Sequence, residues 1–316
     1  MWWIIGAILF IILAFAAVVA GFLHYGIIRN PRRDFHFFNE KDVENVVRPE
    51  YREKVLAGAR WIRDHEAEDL FITSFDGLKL HARLMTPENP IGTLILFHGY
   101  RSAPVNDFPD FSEWVFDKGY RLLFVDERSG EMSEGRYIGM GVLESRDAVK
   151  WAELIAARFE SSPIFLQGVS MGASTVLMAM GHDLPVEVKG VIADCGFTSP
   201  KEIFESVVKD SMKLPPQPIV DIMGFFIKHI AKYDINVSTV DAIKKSTLPL
   251  VLIHGEADDF VPHFMSEKNY AAAKEQPTRD VTFISVPGAR HAESYLVDTP
   301  KCRDTVSEFL AKYTKV

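Results

Sequence analysis

The chain has 316 residues, of which 47% are hydrophobic and 25% charged, and its 35 Lys and Arg against 43 Asp and Glu leave a formal net charge of −8. That is a globular composition with ample apolar material for a core, and an acidic body excludes nucleic acid as a partner, since phosphate binding needs a basic face. Two cysteines, Cys195 and Cys302, make neither a disulfide framework nor a zinc spacing, and Cys195 reads as an inert buried thiol at the end of an apolar run.

The first element is an uncharged stretch, Trp2 to Leu23, dominated by Ile, Leu, Ala, Val and Phe. As a helix it would span roughly 33 Å, enough for a bilayer core. Trp2 and Trp3 at one end, and His24 and Tyr25 at the other, suit headgroup level, and Arg29, Arg32 and Arg33 follow. The sequence therefore predicts a single-pass anchor over 1–28 in the cell membrane, with the catalytic body in the cytoplasm by the positive-inside rule. A cleaved secretory signal is the alternative: Val18-Val19-Ala20 resembles a cleavage site, but a basic n-region is missing.

Residues 29–68 read as a connector, charged and punctuated by Pro31 and Pro49, with one helix from Glu53 to His65. From 69 to 316 the pattern changes. Leu70 to Phe75 and Leu78 to Met85 flank Asp76-Gly77, which predicts a hairpin. Short apolar runs follow at Thr93–Phe97, Tyr120–Val125, Ile164–Leu166, Val188–Ala193, Leu250–Ile253 and Val281–Val286, each ending at a polar or glycine-marked position. Helical stretches lie between them at Phe108–Lys118, Leu143–Phe159, Met171–Met180 and His263–Lys274, and Thr305–Lys312 closes the chain. Such alternation predicts an α/β fold, a mostly parallel eight-stranded sheet with helices on both faces. Its chemistry should collect at the carboxyl ends of the strands.

One of those ends carries Gly168-Val169-Ser170-Met171-Gly172, a G-x-S-x-G between a strand and a helix. A sharp strand-to-helix turn holds the serine in a strained conformation and exposes its hydroxyl, and glycine on either side avoids collision with neighbouring backbone. Ser170 is thus the candidate nucleophile, and the N–H of Met171 a candidate oxyanion donor at the helix start. The acid and then the histidine should follow in chain order. Asp258 and Asp259 both qualify by chemistry in the loop after Ile253, and His291 stands after the last strand. His98 and His254 end strands and read as loop-holding groups, and His263 as an exposed helix start.

The runs His98-Gly99-Tyr100, Asp126 to Ser133, Gly168 to Gly172, His254 to Pro262 and His291 to Tyr295 stand in the order shown by bacterial α/β-hydrolases of the esterase and serine-aminopeptidase-like group. The chain resembles that group from Leu70 to Leu310. The resemblance selects Asp258 as the acid and implies the N–H of Tyr100 as the second oxyanion donor, its side chain lining the pocket. It further implies that Asp126 and Arg128 pair near the site, and that a helical lid fills 197–248. Arg290 stands where the family usually has glycine and is expected to face solvent. Two helices, Pro200–Lys213 and Pro218–Tyr233, compose the lid, and a short third is expected within Asn236–Ser246. Ile219, Met223, Phe226 and Ile230 form a stripe beside Ile222 and Phe225; such a stripe either packs on the body or lines an acyl site, with Ile222, Met223 and Phe226 as the candidates.

The reading that follows is a serine hydrolase of acyl or lipid-like carboxylic esters, acting through an acyl-enzyme on a small-molecule ester, with no cofactor and no metal. A peptidase releasing N-terminal residues or acyl-peptides uses the same triad. A catalytically silent, membrane-tethered binding protein is the reading from another class.

Overall fold

A computed structural model describes residues 2–29 and 47–315. Helix α1 (Trp2–Ile27) leads into an isolated bridge between Ile28 and Tyr137. Pro31, Arg32 and Arg33 of the expected connector lie outside the described residues. A 3-10 turn (Pro49–Tyr51) then opens α2 (Arg52–Asp64), which buries Val55, Ala59 and Ile62.

The hairpin forms as β1 (Glu68–Thr73) and β2 (Lys79–Met85), turning at Gly77 with φ 91°. Then follow β3 (Gly92–Phe97), α3 (Pro104–Asp107), α4 (Ser112–Asp117), β4 (Tyr120–Val125), α5 (Glu144–Arg158), β5 (Ile164–Val169), α6 (Met171–Ala179) and β6 (Val188–Asp194). A helical segment comes next: α7 (Pro200–Ser206), which runs on as a π turn over Val207–Ser211, α8 (Ile219–Ile230) and α9 (Thr239–Lys245). The chain ends with β7 (Leu250–Gly255), α10 (Phe264–Lys274), β8 (Val281–Val286), α11 (Ser294–Val297) and α12 (Thr299–Thr314).

The eight strands join in the order β1-β2-β4-β3-β5-β6-β7-β8. β2 is antiparallel to β1 and β4, and from β4 onward every neighbour is parallel. The apolar runs are continuous because both faces are covered. Along β3, Leu94 and Leu96 pack on one side with Phe108 and Phe111 of the α3–α4 region and Phe309 of α12. Ile95 and Phe97 face the other way, onto Trp151 of α5 and Leu177 of α6.

The expected helix over Phe108–Lys118 forms only from Ser112 to Asp117, as α4, with the separate short α3 just before the expected start. Pro109 lies at the break, and a Cβ on Gly58 of α2 would meet its carbonyl oxygen at 1.7 Å, so the two backbones touch there. The last helix begins earlier than expected, where the Asp298 carboxylate accepts the Lys301 N–H at its N-terminus and Pro300 fits the first turn.

Three further expectations are corrected. Among the described residues no helix is long and apolar enough to cross a membrane. The single-pass anchor, the membrane localisation, the cytoplasmic orientation and the membrane as partner are therefore not upheld. The end of α1 is spoken for by the body: Val19 and Ile27 are buried among Val220, Met223 and Ile227 of α8, and the Ile138 N–H donates to the Ile27 carbonyl at 2.7 Å. Arg29 does not mark a membrane face, since its guanidinium donates to the carbonyls of Ser133 and Glu131.

Second, Asp126 and Arg128 do not pair with each other. Asp126 follows β4 and reaches His81 on the neighbouring β2 at 2.6 Å, while buried Arg128 takes Asp147 bidentately at 2.6 and 2.8 Å and Asp76 at 3.0 Å. Third, His263 is half-buried and bonds the Ser285 hydroxyl.

Removing one member of a buried ion pair strands the other and costs about 3–5 kcal/mol. Arg128→Met should therefore lower the unfolding free energy by about that much, read from denaturant midpoints. Arg158→Met, whose partner Glu68 is exposed, should change it by less than about 1 kcal/mol.

Candidate active site

The carboxyl ends of β3, β5, β6, β7 and β8 converge on Ser170. It sits between β5 and α6 with φ 55° and ψ −115°, a left-handed conformation uncommon for a side chain with a Cβ. The two flanking glycines explain how the turn closes. A Cβ on Gly168 would lie 2.1 Å from the Gly172 backbone, and one on Gly172 would lie 2.0 Å from the Phe97 carbonyl oxygen. The Ser170 N–H donates to the Asp194 carbonyl of β6 at 2.8 Å, which fixes the turn against the sheet.

His291 is delivered by the loop after β8, and Asp258 by the loop after β7. The two loops are stitched together: the N–H groups of Glu256 and Ala257 donate to the carbonyls of Val286 and Ala289. The His291 Nε2 lies 3.0 Å from the Ser170 Oγ, and its Nδ1 lies 2.7 Å from the Asp258 Oδ2. Asp259, the other acid in the loop, has no such bond among those described.

The Asp258 carboxylate is surrounded by donors. Oδ1 accepts the N–H groups of Phe260 and Val261 at 2.9 and 2.8 Å. Oδ2 accepts from His291 and from His254 Nε2, the latter at 3.1 Å. His254 is fully buried, and its other nitrogen meets the Ser266 hydroxyl at 2.6 Å. Burial pushes the Asp258 carboxyl up, but the bonds and charges of His254 and His291 outweigh it and hold the group well below the usual carboxylate range. Asp258 is therefore an anion across the physiological range and fixes Nδ1 of His291 as the protonated nitrogen, leaving Nε2 to accept from Ser170.

The N–H of Met171 is the first of α6 and has no intrahelical acceptor. Across from it runs the loop His98 to Ser102. The Gly99 carbonyl accepts from His98 Nδ1 at 2.8 Å and from the Ser102 N–H at 3.1 Å, and His98 Nε2 accepts the Glu127 N–H at 3.1 Å. A trans peptide is planar, so pinning the Gly99 carbonyl aims the Tyr100 N–H of the same unit the opposite way. On the inner side, the Asp107 carboxylate accepts the Gly99 N–H at 2.5 Å and the Ser102 hydroxyl at 2.6 Å. His98 and His254 thus hold loops by hydrogen bonds.

Several other expected positions are placed differently. The Tyr100 hydroxyl points to the end of α1 and donates to the Tyr25 and Gly26 carbonyls, both at 2.8 Å. The stripe of α8 that is buried is Ile219, Val220, Met223 and Ile227; Phe226 and Ile230 are exposed, and Ile222 is half-buried. Met223 is wholly enclosed among apolar side chains, so it contacts no solvent-filled site. Arg290, by contrast, is exposed as expected, and it pairs with Glu293 at 2.8 Å. Cys195 is buried beside the dyad; among the described residues Cys195, Asp258 and His291 form the group whose ligand atoms lie close enough, within 4.8 Å, to share a metal ion. Burial pushes the Cys195 thiol well up, so it is neither a thiolate nor a competing nucleophile at neutral pH.

Three contributors were missed in the sequence: His254 as a second donor to Asp258, Asp107 as the inner tie of the Tyr100 loop, and Phe260. The Phe260 ring is 5.2 Å from that of His291, and the side chain is exposed. An exposed aromatic two residues after the acid was the available signal for Phe260; His254 and Asp107 gave none, because their roles rest on contacts across separate loops.

Residues 106–316 match the model of the prolyl oligopeptidase family. The chain is 26% identical to the uncharacterized protein YqkD of Bacillus subtilis over 302 residues, covering 95% of this chain and 96% of that one. It is 25% identical to the lysophosphatidylserine lipase ABHD12 of Xenopus tropicalis over 205 residues, 61% of this chain and 50% of that one. The fold superimposes on the Pyrococcus furiosus esterase Pf2001 with a TM-score of 0.67 and 22% identity, over 90% of this chain and 100% of that one. An acylaminoacyl peptidase from Pyrococcus horikoshii superimposes with a TM-score of 0.58 and 18% identity, over 79% of this chain and 42% of that one.

A native pKa for Asp258 below the unfolded value of about 3.9 means that its ionised form contributes stability above that pH, and that this is lost as pH falls through the native value. Asp258→Asn should therefore melt several degrees below the wild-type protein at pH 7, and the gap should narrow as the pH is lowered below about 4. Paired melting curves between pH 7 and pH 3 check this.

Proposed function

This chain belongs to the prolyl oligopeptidase family, hydrolases built on the α/β-hydrolase fold, and from that premise we propose that it cleaves carboxylic esters of apolar acyl groups through Ser170, His291 and Asp258. The observation that carries the reading is the unbroken relay from Ser170 Oγ through His291 to Asp258, at 3.0 and 2.7 Å, on a serine held with positive φ.

Ser170 Oγ attacks the ester carbonyl as its proton passes to His291 Nε2. The imidazolium that forms is stabilised by the Asp258 carboxylate, which stays ionised throughout. The tetrahedral oxyanion is held by the N–H groups of Met171 and Tyr100. His291 then protonates the departing alcohol, and the acyl group remains on Ser170. A water activated by the same nitrogen releases the acid and restores the serine.

An ester with an apolar acyl group is favoured by the surface around the dyad. Phe260, whose ring is tilted against that of His291 at 5.2 Å, is exposed, as is Phe264 at the start of α10. The apolar segment over 197–248 acts as a lid on the site. The likeness to the esterase also runs over that protein's whole length. A peptidase acting on acyl-peptides is the second reading, supported by the family match and by the acylaminoacyl peptidase fold.

A fluorophosphonate probe should label the wild-type protein and leave Ser170→Ala unlabelled; Ser170-independent labelling, or none, overturns both enzyme readings. Asp258→Asn should lower kcat by about 10⁴ with little change in KM, because it removes the acceptor that sets the His291 tautomer. p-Nitrophenyl esters of increasing chain length should outrun aminoacyl-anilides, and the reverse order would favour the peptidase.

A further inference from the structure

The loop that carries the Tyr100 N–H is held from two sides. Asp107 ties it from within, as described above. The outer tie is made by the end of α1. The last carbonyls of a helix have no intrahelical donors, and they form the negative end of its dipole. Here that end is met by two side chains of the Tyr100 loop. The Tyr100 hydroxyl donates to the Tyr25 and Gly26 carbonyls, and Arg101 Nη2 donates to those of Tyr25 and Ile28 at 2.8 and 2.6 Å. Arg101 Nε also donates to the Tyr100 hydroxyl at 2.8 Å, so one guanidinium organises the whole contact.

The backbone bears a cost for this arrangement. Arg101 adopts φ 52°, which a non-glycine residue keeps only when its surroundings over-determine it. What the Arg101 side chain gains there is two carbonyl contacts at the α1 end and the bond to the Tyr100 hydroxyl. Neither this loop nor α1 is fixed by secondary-structure pairing to the other; the bonds link residues more than 70 positions apart.

Resting on the assignment of Tyr100 N–H as an oxyanion donor, we infer that α1 is a positioning element of the active site: its carbonyl end, gripped by Arg101 and the Tyr100 hydroxyl, sets the aim of that N–H. A hydrogen bond to a developing oxyanion weakens steeply with misalignment, and losing one donor typically costs about 10²–10³ in rate. Docking of α1 is then a condition of full activity. The helix end is held in turn by Arg29 on the Glu131 and Ser133 carbonyls and by the Ile28–Tyr137 bridge. Its neighbour Ile27 packs with α8, so the position of the lid segment and the aim of the donor are mechanically linked.

The test is made on the full chain with p-nitrophenyl butyrate as substrate and a trifluoromethyl ketone as a probe, since its Ser170 adduct places an oxyanion at the two N–H groups. Arg101→Gln should lower kcat roughly 10–100-fold, within the range for a misaimed donor, with KM changed less than about threefold. Binding of the ketone should weaken by the same factor as kcat falls. Arg101→Lys should recover part of both, and Arg29→Gln, which loosens α1 without touching the Tyr100 loop, should reproduce the effect in weaker form. Melting midpoints and fluorophosphonate labelling of each variant show that the fold and nucleophile persist. Wild-type kcat and ketone affinity in folded Arg101→Gln overturn the inference, as does a loss of activity that follows only the melting midpoint. Absence of labelling in the wild-type protein would instead mark the failure of the Ser170 assignment.

Discussion

The structure depends on how closely the turn after β5 approaches β3. No atom larger than hydrogen fits at the α-carbon of Gly172, which faces the Phe97 carbonyl, or at that of Gly168, which faces the backbone of Gly172. Because the turn is that tight, Ser170 is carried into positive φ and its hydroxyl emerges at the carboxyl edge of the sheet. The same tightness brings the start of α6 up against the loop after β3. The Met171 N–H and the Tyr100 loop then face each other across the serine. Everything proposed for the site follows from that approach.

Around this point the loops contribute charge and aim rather than bulk. Asp258 is buried, yet four donors keep it ionised. A carboxylate so satisfied orients His291 without taking its proton. For the loop that carries the Tyr100 N–H, His98 pins the Gly99 carbonyl, while Asp107 and the end of α1 hold the loop from its two sides. The strongly perturbed groups elsewhere are of another kind. Glu144 and Asp147 are pushed up by burial to about 7 and about 6; Glu144 accepts the Gly139 and Gly141 N–H groups, and Asp147 takes Arg128. They stabilise the turn before α5 and the hairpin at Asp76.

Much of this was legible in the sequence where the signal is local. Strand ends showed as apolar runs stopped by a polar residue or glycine, and the eight strands lie where those runs are. The order of Ser170, Asp258 and His291 was readable, and the structure brings these three within hydrogen-bonding distance. Legibility failed where a segment is apolar on more than one face. In α8, Phe226 and Ile230 offer as good a helical stripe as Val220 and Ile227, and only the neighbours decide which is buried. In α1 the apolar composition masked the part its terminal carbonyls play on the body. Arg101 and Arg29 bond to backbone carbonyls, which every residue has, so no side-chain pattern announced them. Pro109 broke an expected helix through a contact with Gly58, about fifty residues away in sequence.

The proposed mechanism requires that Ser170 become acylated during turnover. The most direct measurement is acid quenching of the protein within the first turnovers of a p-nitrophenyl ester, followed by peptide mass mapping. The account predicts one added acyl group on the peptide that contains Ser170, appearing with the burst of nitrophenol and absent from Ser170→Ala. Turnover with no acylated peptide, or with the acyl group on another residue, would contradict it.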